Sequence, residues 1–245
     1  MFCIRKVAHA ISPHPDKLLE LTRFADMPTK FNSPIYDTSF PNVDSGSIMI
    51  LRKAGALILG KTTTTEFAAT TVGTKTRNPH DAEAKRTPGG SSSGSGAAVG
   101  DLQAPLGLGT QTGGSTIRPG SYNGIYAMKP TWNSITREGQ KIYSLILDTL
   151  GLYARSVDDL ELLAETFAIH DDVPPPTKFE VKGAKFAFLK TMVWPKVGSG
   201  TSNALDKAVS LLRAHGAEVE EIFLPETLDD LPAWHAQVRC FCLPG

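Results

Sequence analysis

The chain has 245 residues, 41% hydrophobic and 20% charged, enough to bury the core of one large α/β domain or two smaller ones. Its 25 Lys and Arg balance 25 Asp and Glu, with no basic stripe interleaved with aromatics, which argues against a nucleic-acid partner. No apolar run reaches membrane-span length, and Met1 to Ala10 lacks the apolar core and cleavage site of a secretory leader.

Cys3, Cys240 and Cys242 lack the spacing of a disulfide framework or a zinc site, so they read as free thiols in a reducing compartment and the chain as cytoplasmic. The six histidines form no HxH or HxxxH pair, and metal catalysis is not indicated.

In chain order, Ile48, Met49 and Leu51 predict an amphipathic helix that Gly55 ends, and Ala56-Leu57-Ile58-Leu59 reads as a short buried strand. Ala97-Ala98-Val99 and Leu102 to Leu108 read as buried structure between two Gly-Ser loops. Ser156 is the expected N-cap of a helix over Val157 to Ala168, with Asp158 and Asp159 in the first turn, where the helix dipole favours acids. Asp171 to Pro176 breaks the pattern as an exposed connection, not a domain boundary. Lys185 to Leu189 predicts a strand and Ala204 to His215 a helix stopped by Gly216. A further strand covers Glu218 to Leu224, and a helix begins at Leu231. Alternating helices and apolar strands imply an α/β fold with a sheet covered on both faces.

The chemistry concentrates in Gly89-Gly90-Ser91-Ser92-Ser93-Gly94-Ser95-Gly96 and in Gly109-Thr110-Gln111-Thr112-Gly113-Gly114-Ser115-Thr116-Ile117-Arg118-Pro119. Such runs are commonly flexible linkers. These two instead flank buried structure, and glycines let the backbone approach a ligand closely. The Thr112 to Ser115 turn can present several N–H groups to a developing oxyanion, which suggests acyl transfer.

Two motif matches fail on context. Gly55 to Thr62 fits the phosphate-loop pattern GxxxxGK[ST], but a phosphate loop follows a strand and opens a helix, and here the order is reversed. Lys61 then reads as a structural or surface lysine. Gly90-Ser91-Ser92-Ser93-Gly94 fits the nucleophile elbow GxSxG with Ser92 as nucleophile, yet polar Asp81 to Pro88 precedes it where a strand is needed.

These loops resemble the amidase signature family of C–N hydrolases. The resemblance runs from about Ala25 to Ala236 through Ala25-Asp26-Met27-Pro28-Thr29, Gly60-Lys61-Thr62 with Glu66-Phe67, and Arg77-Asn78-Pro79. Lys129-Pro130-Thr131, Asp148-Thr149-Leu150-Gly151 and Ala154 to Asp159 extend it. It implies a mixed β-sheet flanked by helices on both faces, a Ser–cis-Ser–Lys triad and no metal or organic cofactor. By motif, Ser115 is the nucleophile and Ser91 the middle serine within hydrogen-bond reach of it. Thr112, Gly113, Gly114 and Ser115 supply the oxyanion-hole N–H groups, and the substrate is a small-molecule amide.

Gln111 stands where many members carry Asp, and one extra residue separates Ser115 from Arg118. The family's lysine, counted back from Met27-Pro28, falls on Leu19. Lys17 is two positions away in what looks like a helix turn, and Lys61 matches a different position. The resemblance therefore divides the chain into a divergent segment, 1–24, in place of the lysine strand, and a partial amidase signature domain, 25–245, truncated at both ends. The alternatives are a non-catalytic fragment or pseudoenzyme of the same family, or an esterase using the same nucleophile.

Overall fold

A computed structural model describes residues 25, 27–71, 75–170 and 179–240. Lys17, Leu19 and the expected connection at 171–176 lie outside the described residues. The chain divides into two compact units, Met1–Ile169 and His170–Gly245, so the division falls beside that connection.

In the first unit β1 (Leu106–Gln111), β2 (Tyr126–Met128) and β3 (Thr149–Ala154) form an antiparallel sheet in the order β1-β3-β2. Every residue of β3 is buried, because both faces of this central strand are covered. Leu150 and Leu152 share one face by the two-residue period of a strand. They pack with Ile48 and Leu51 of α1 (Gly46–Lys53) and with Leu163 of α4 (Val157–Thr166) and Phe167 just beyond it. Each such leucine contributes about 2 kcal/mol by leaving water.

Gly151 and Tyr153 point to the opposite face, toward α2 (Ser93–Gly100) and α3 (Ile117–Tyr122). A side chain at Gly109 of β1 would meet the Tyr153 ring at 2.7 Å, and one at Gly107 would meet Val99 of α2 at 3.0 Å. The small residues of β1 are what let α2 and Tyr153 close on the sheet.

The helix ends follow local rules. Ser156 accepts the Asp159 N–H at 3.1 Å and opens α4 as expected. After α1, Gly55 at φ +82° and the bonds Gly55 N–H to Arg52 and Ala56 N–H to Leu51 carbonyls, both 3.0 Å, close a Schellman motif. The same pair of bonds closes α4, with Ala168 in the left-handed position at φ +50°.

One expected element differs. Among the described residues Ala56 to Leu59 pairs with no strand, and Leu57 and Leu59 are 62% and 53% exposed. Four apolar letters specify an extended chain, but a strand also needs a partner that tertiary structure must supply.

In the second unit β4 (Lys185–Lys190) and β5 (Glu218–Phe223) pair in parallel, with α5 (Ser199–Ala214) as the crossover, and α6 (Leu231–Cys240) follows. Gly216 at φ +84° stops α5. Phe188 of β4 meets Trp194 edge to face at 5.3 Å, and Lys190 pairs with Glu221 at 2.8 Å. Antiparallel and parallel pairs with their helices bear out the mixed α/β reading, here as two sheets, one in each unit.

Candidate active site

The first Gly-Ser loop is not a linker. From Ser93 it winds into α2, with Ser92 at the cap position, and packs so tightly that side chains would not fit. A Cβ on Gly94 would lie 2.6 Å from the Thr63 nitrogen, and one on Gly90 would lie 2.5 Å from the Thr71 carbonyl oxygen. Ser92 Oγ accepts the Thr110 N–H at 3.0 Å and donates to the Thr110 carbonyl at 3.2 Å, which fastens α2 to β1. A hydroxyl so committed, with no strand before it, does not fit a nucleophile elbow.

Ser91 differs from its neighbour. The Gly90–Ser91 peptide is cis, the Ser91 carbonyl accepts the Thr65 N–H at 3.0 Å, and the residue is buried. Its Oγ has no hydrogen-bond partner among the described residues. A buried hydroxyl left unbonded costs about 1–3 kcal/mol, so such groups are rare and ask for an explanation.

The second loop leaves β1 at Gln111 and turns into α3. Gln111 Oε1 accepts the N–H groups of Thr116 and Ile117 at 2.9 and 3.1 Å, holding the start of that helix, so the amide at this departure bonds the turn internally. Thr112 Oγ1 donates to Asp148 Oδ1 at 2.5 Å, while Asp148 Oδ2 accepts the N–H groups of Tyr143 and Ser144 at 2.5 and 2.9 Å. Tyr153 donates to the Thr116 carbonyl at 2.9 Å. Burial pushes this phenol well above its ordinary range, so it remains a donor.

The two loops are tied to each other by the Ser92 N–H, which donates to the Ser115 carbonyl at 3.3 Å, and by Arg118 Nη1, which donates to the Gly90 carbonyl at 2.6 Å. Between these ties, the backbone N–H groups of Thr112, Gly113, Gly114 and Ser115 donate no hydrogen bond among the described residues. The expected bond between the Ser91 and Ser115 hydroxyls is not formed. The ties run through backbone carbonyls and leave both serine hydroxyls out, and catalytic hydrogen bonds commonly tighten only when substrate is bound.

A shallow recess, open to solvent, is lined by Ser91, Thr112, Asp148 and Lys141 among others, while Ser115 is not part of its lining. Lys61 is buried, and its Nζ donates to the Pro28 carbonyl at 2.6 Å and to Thr29 Oγ1 at 2.5 Å. It is a structural lysine, not a surface one, and it cannot reach for a phosphate. Among the described residues no cluster of three or more His, Cys, Asp or Glu could hold a metal ion, and no helix is long and apolar enough to cross a membrane.

Asp148, Tyr153, Arg118 and Lys141 belong to this site although the sequence assigns them no role there. Asp148 and Arg118 stand inside motifs that carry the resemblance, so their positions were available. The others are brought in only by tertiary packing.

These features define an α/β protein of amidase-signature architecture, in which a glycine-serine helix and a glycine-rich turn meet at the end of β1. The chain belongs to the Amidase family, whose model matches residues 20–238. It is 35% identical over 228 residues to a glutamyl-tRNA(Gln) amidotransferase subunit from Carboxydothermus hydrogenoformans, covering 86% of this chain and 47% of that protein. Among solved structures it resembles the corresponding subunit from Thermotoga maritima, with a TM-score of 0.77 and 28% identity over 92% of this chain and 52% of that one. It also resembles a peptide amidase from Stenotrophomonas maltophilia, with a TM-score of 0.72 and 28% identity over 90% and 49% of the two chains. The chain spans about half the length of these relatives.

Proposed function

We propose that this chain carries an acyl-transfer site for a small-molecule carboxamide, in which Ser115 Oγ attacks the carbonyl carbon. Its proton passes to Ser91 Oγ as the Ser91 hydroxyl gives its own proton to the departing nitrogen, while N–H groups of Thr112 to Ser115 take the oxyanion. The collapsing intermediate expels the amine, which leaves with a proton, and water then hydrolyses the Ser115 ester. No metal or organic cofactor is needed for these steps.

The observation that carries the reading is the pairing of a buried, unbonded Ser91 hydroxyl with a neighbouring turn whose N–H groups are uncommitted among the described residues. The names of the amidotransferase relatives couple them to tRNA. The balanced charge of this chain supports a small amide instead, and a cytoplasmic setting goes with cysteines that lack the spacing of a disulfide framework.

A second reading is favoured by one fact: no described group accepts the proton of Ser91 Oγ. In that reading the chain binds a carboxamide and acylates only with activated acyl donors. Pre-steady-state release of p-nitrophenol from p-nitrophenyl butyrate separates the readings. The full site gives a burst that Ser115→Ala and Ser91→Ala both lose and that added methylamine leaves unchanged. If the acceptor is missing, methylamine accelerates the burst in the parent chain but not in Ser91→Ala. A burst unaffected by Ser115→Ala contradicts both.

A further inference from the structure

Lys141 sits in an aromatic box at the recess. Its ammonium lies 5.0 Å from the Phe31 ring centroid, 5.4 Å from Tyr36 and 4.4 Å from Phe67. The rings themselves are ordered edge to face, Phe31 with Tyr36 at 5.0 Å and Tyr36 with Phe67 at 6.1 Å. Each ring presents the negative face of its quadrupole to the ammonium, so the box fixes where that charge stands.

The box also draws on strained backbone. Phe31, Asn32, Phe67 and Ala68 all take left-handed φ, between +50° and +56°, and the Phe67 N–H donates to the Phe31 carbonyl at 2.9 Å. Such conformations cost of order 1 kcal/mol or more for each non-glycine residue and gather where a group must be held in place. Two of the four, Phe31 and Phe67, carry rings that surround Lys141.

Two other polar groups in the recess differ in how far they are satisfied. The Asp148 carboxylate is occupied by Thr112, Tyr143 and Ser144. Ser91 Oγ is buried with no partner among the described residues. Lys141 is the one cationic side chain in the described lining, so the recess presents an unpartnered hydroxyl and a fixed positive charge to whatever enters it.

We infer that Lys141 is a specificity-determining residue that selects substrates carrying a carboxylate near the scissile carboxamide. This rests on the reading of the Ser91–Ser115 region as the substrate site. The carboxylate meets the boxed ammonium while the amide reaches toward the serine loops. A neutral isostere leaves the ammonium without its anion and gains nothing from it.

Equilibrium binding of succinamate and of neutral butyramide to the full chain, followed by NMR titration, tests the inference. Succinamate is expected to bind about tenfold tighter than butyramide, the size of one favourable charge contact. The preference should shrink with added salt, fall below about twofold in Lys141→Gln and survive in Lys141→Arg. A merely structural lysine would change both affinities together and leave their ratio alone. Equal affinities, undetectable succinamate binding, or a preference that persists in Lys141→Gln each overturns the inference. Labelling of Ser115 by a fluorophosphonate, measured on the same samples, keeps the two ideas apart. A labelled chain without the preference refutes the role of Lys141, whereas the preference without labelling refutes the nucleophile and leaves Lys141 standing.

Discussion

Between Thr62 and Tyr153 of the first unit, several polar side chains are buried and bonded to backbone, whereas between Lys185 and Phe223 of the second the charges pair at the surface. Just before that stretch, Lys61 donates to the Pro28 carbonyl from a 2% exposed position, and within it Asn123 Nδ2 donates to the Pro88 and Pro119 carbonyls at 2.8 and 2.7 Å. Lys190 and Glu221 make a close contact, yet their side chains are 22% and 41% exposed, and Lys185 and Glu218 are 82% and 70% exposed. Substitution should therefore be costly in the first region and nearly silent in the second, because only buried polar groups lose their full solvation when a partner is removed.

The largest expected effect is chemical. Ser115→Ala should lower acylation by an activated ester by at least about a thousandfold, since removing a nucleophile leaves only the remaining machinery. Ser91→Ala should cost acylation about a hundredfold or more while changing stability by less than about 0.5 kcal/mol, because its hydroxyl has no described bond to lose. Ser92→Ala should do the opposite, losing about 1–2 kcal/mol with its two bonds to Thr110 and keeping the acylation site. Burst amplitude together with urea unfolding of the three variants checks the set.

Next in size, Lys61→Met should destabilise the first unit by about 2–4 kcal/mol, since it strands the Pro28 carbonyl and the Thr29 hydroxyl in the interior. Tyr153 sets an alkaline limit on the same unit. Its phenol titrates higher in the folded than in the unfolded chain, so its stabilising contribution is complete below pH 10.0 and is lost as pH rises beyond that. In Tyr153→Phe that alkaline slope should be reduced when unfolding is followed between about pH 9 and 11.

Smaller still, Ala168→Gly should stabilise by about 1 kcal/mol, because glycine takes the left-handed cap of α4 without a Cβ penalty. At the bottom, Glu221→Gln should cost less than about 0.5 kcal/mol and shrink further in salt. A large loss at Glu221, or a small one at Lys61, would break the contrast between the two regions.

What could be read from the sequence follows the range of the forces involved. The Ser156 cap and the Gly55 and Gly216 stops are local and were legible, and so was the alternating β4–α5–β5 unit. Ala168 at a cap was not, because nothing in its own chemistry favours a left-handed φ; only the packing that ends α4 there requires it. Ala56 to Leu59 has the composition of a buried strand but lacks a described partner, so composition alone overstated it. At the site, the two serine loops and Asp148 lie in recognisable motifs. The Lys141 box assembles residues 31, 36, 67 and 141, and the burial of Lys61 depends on the 28–29 segment, contacts that no sequence window contains.

The proposed chemistry stands on one hydroxyl. Reaction of the full chain with a fluorophosphonate, followed by peptide mapping, tests it most directly: the Ser115 oxygen displaces fluoride from phosphorus, and the adduct should sit on Ser115 and be absent from Ser115→Ala. An adduct on Ser92, or labelling undiminished in Ser115→Ala, would contradict it.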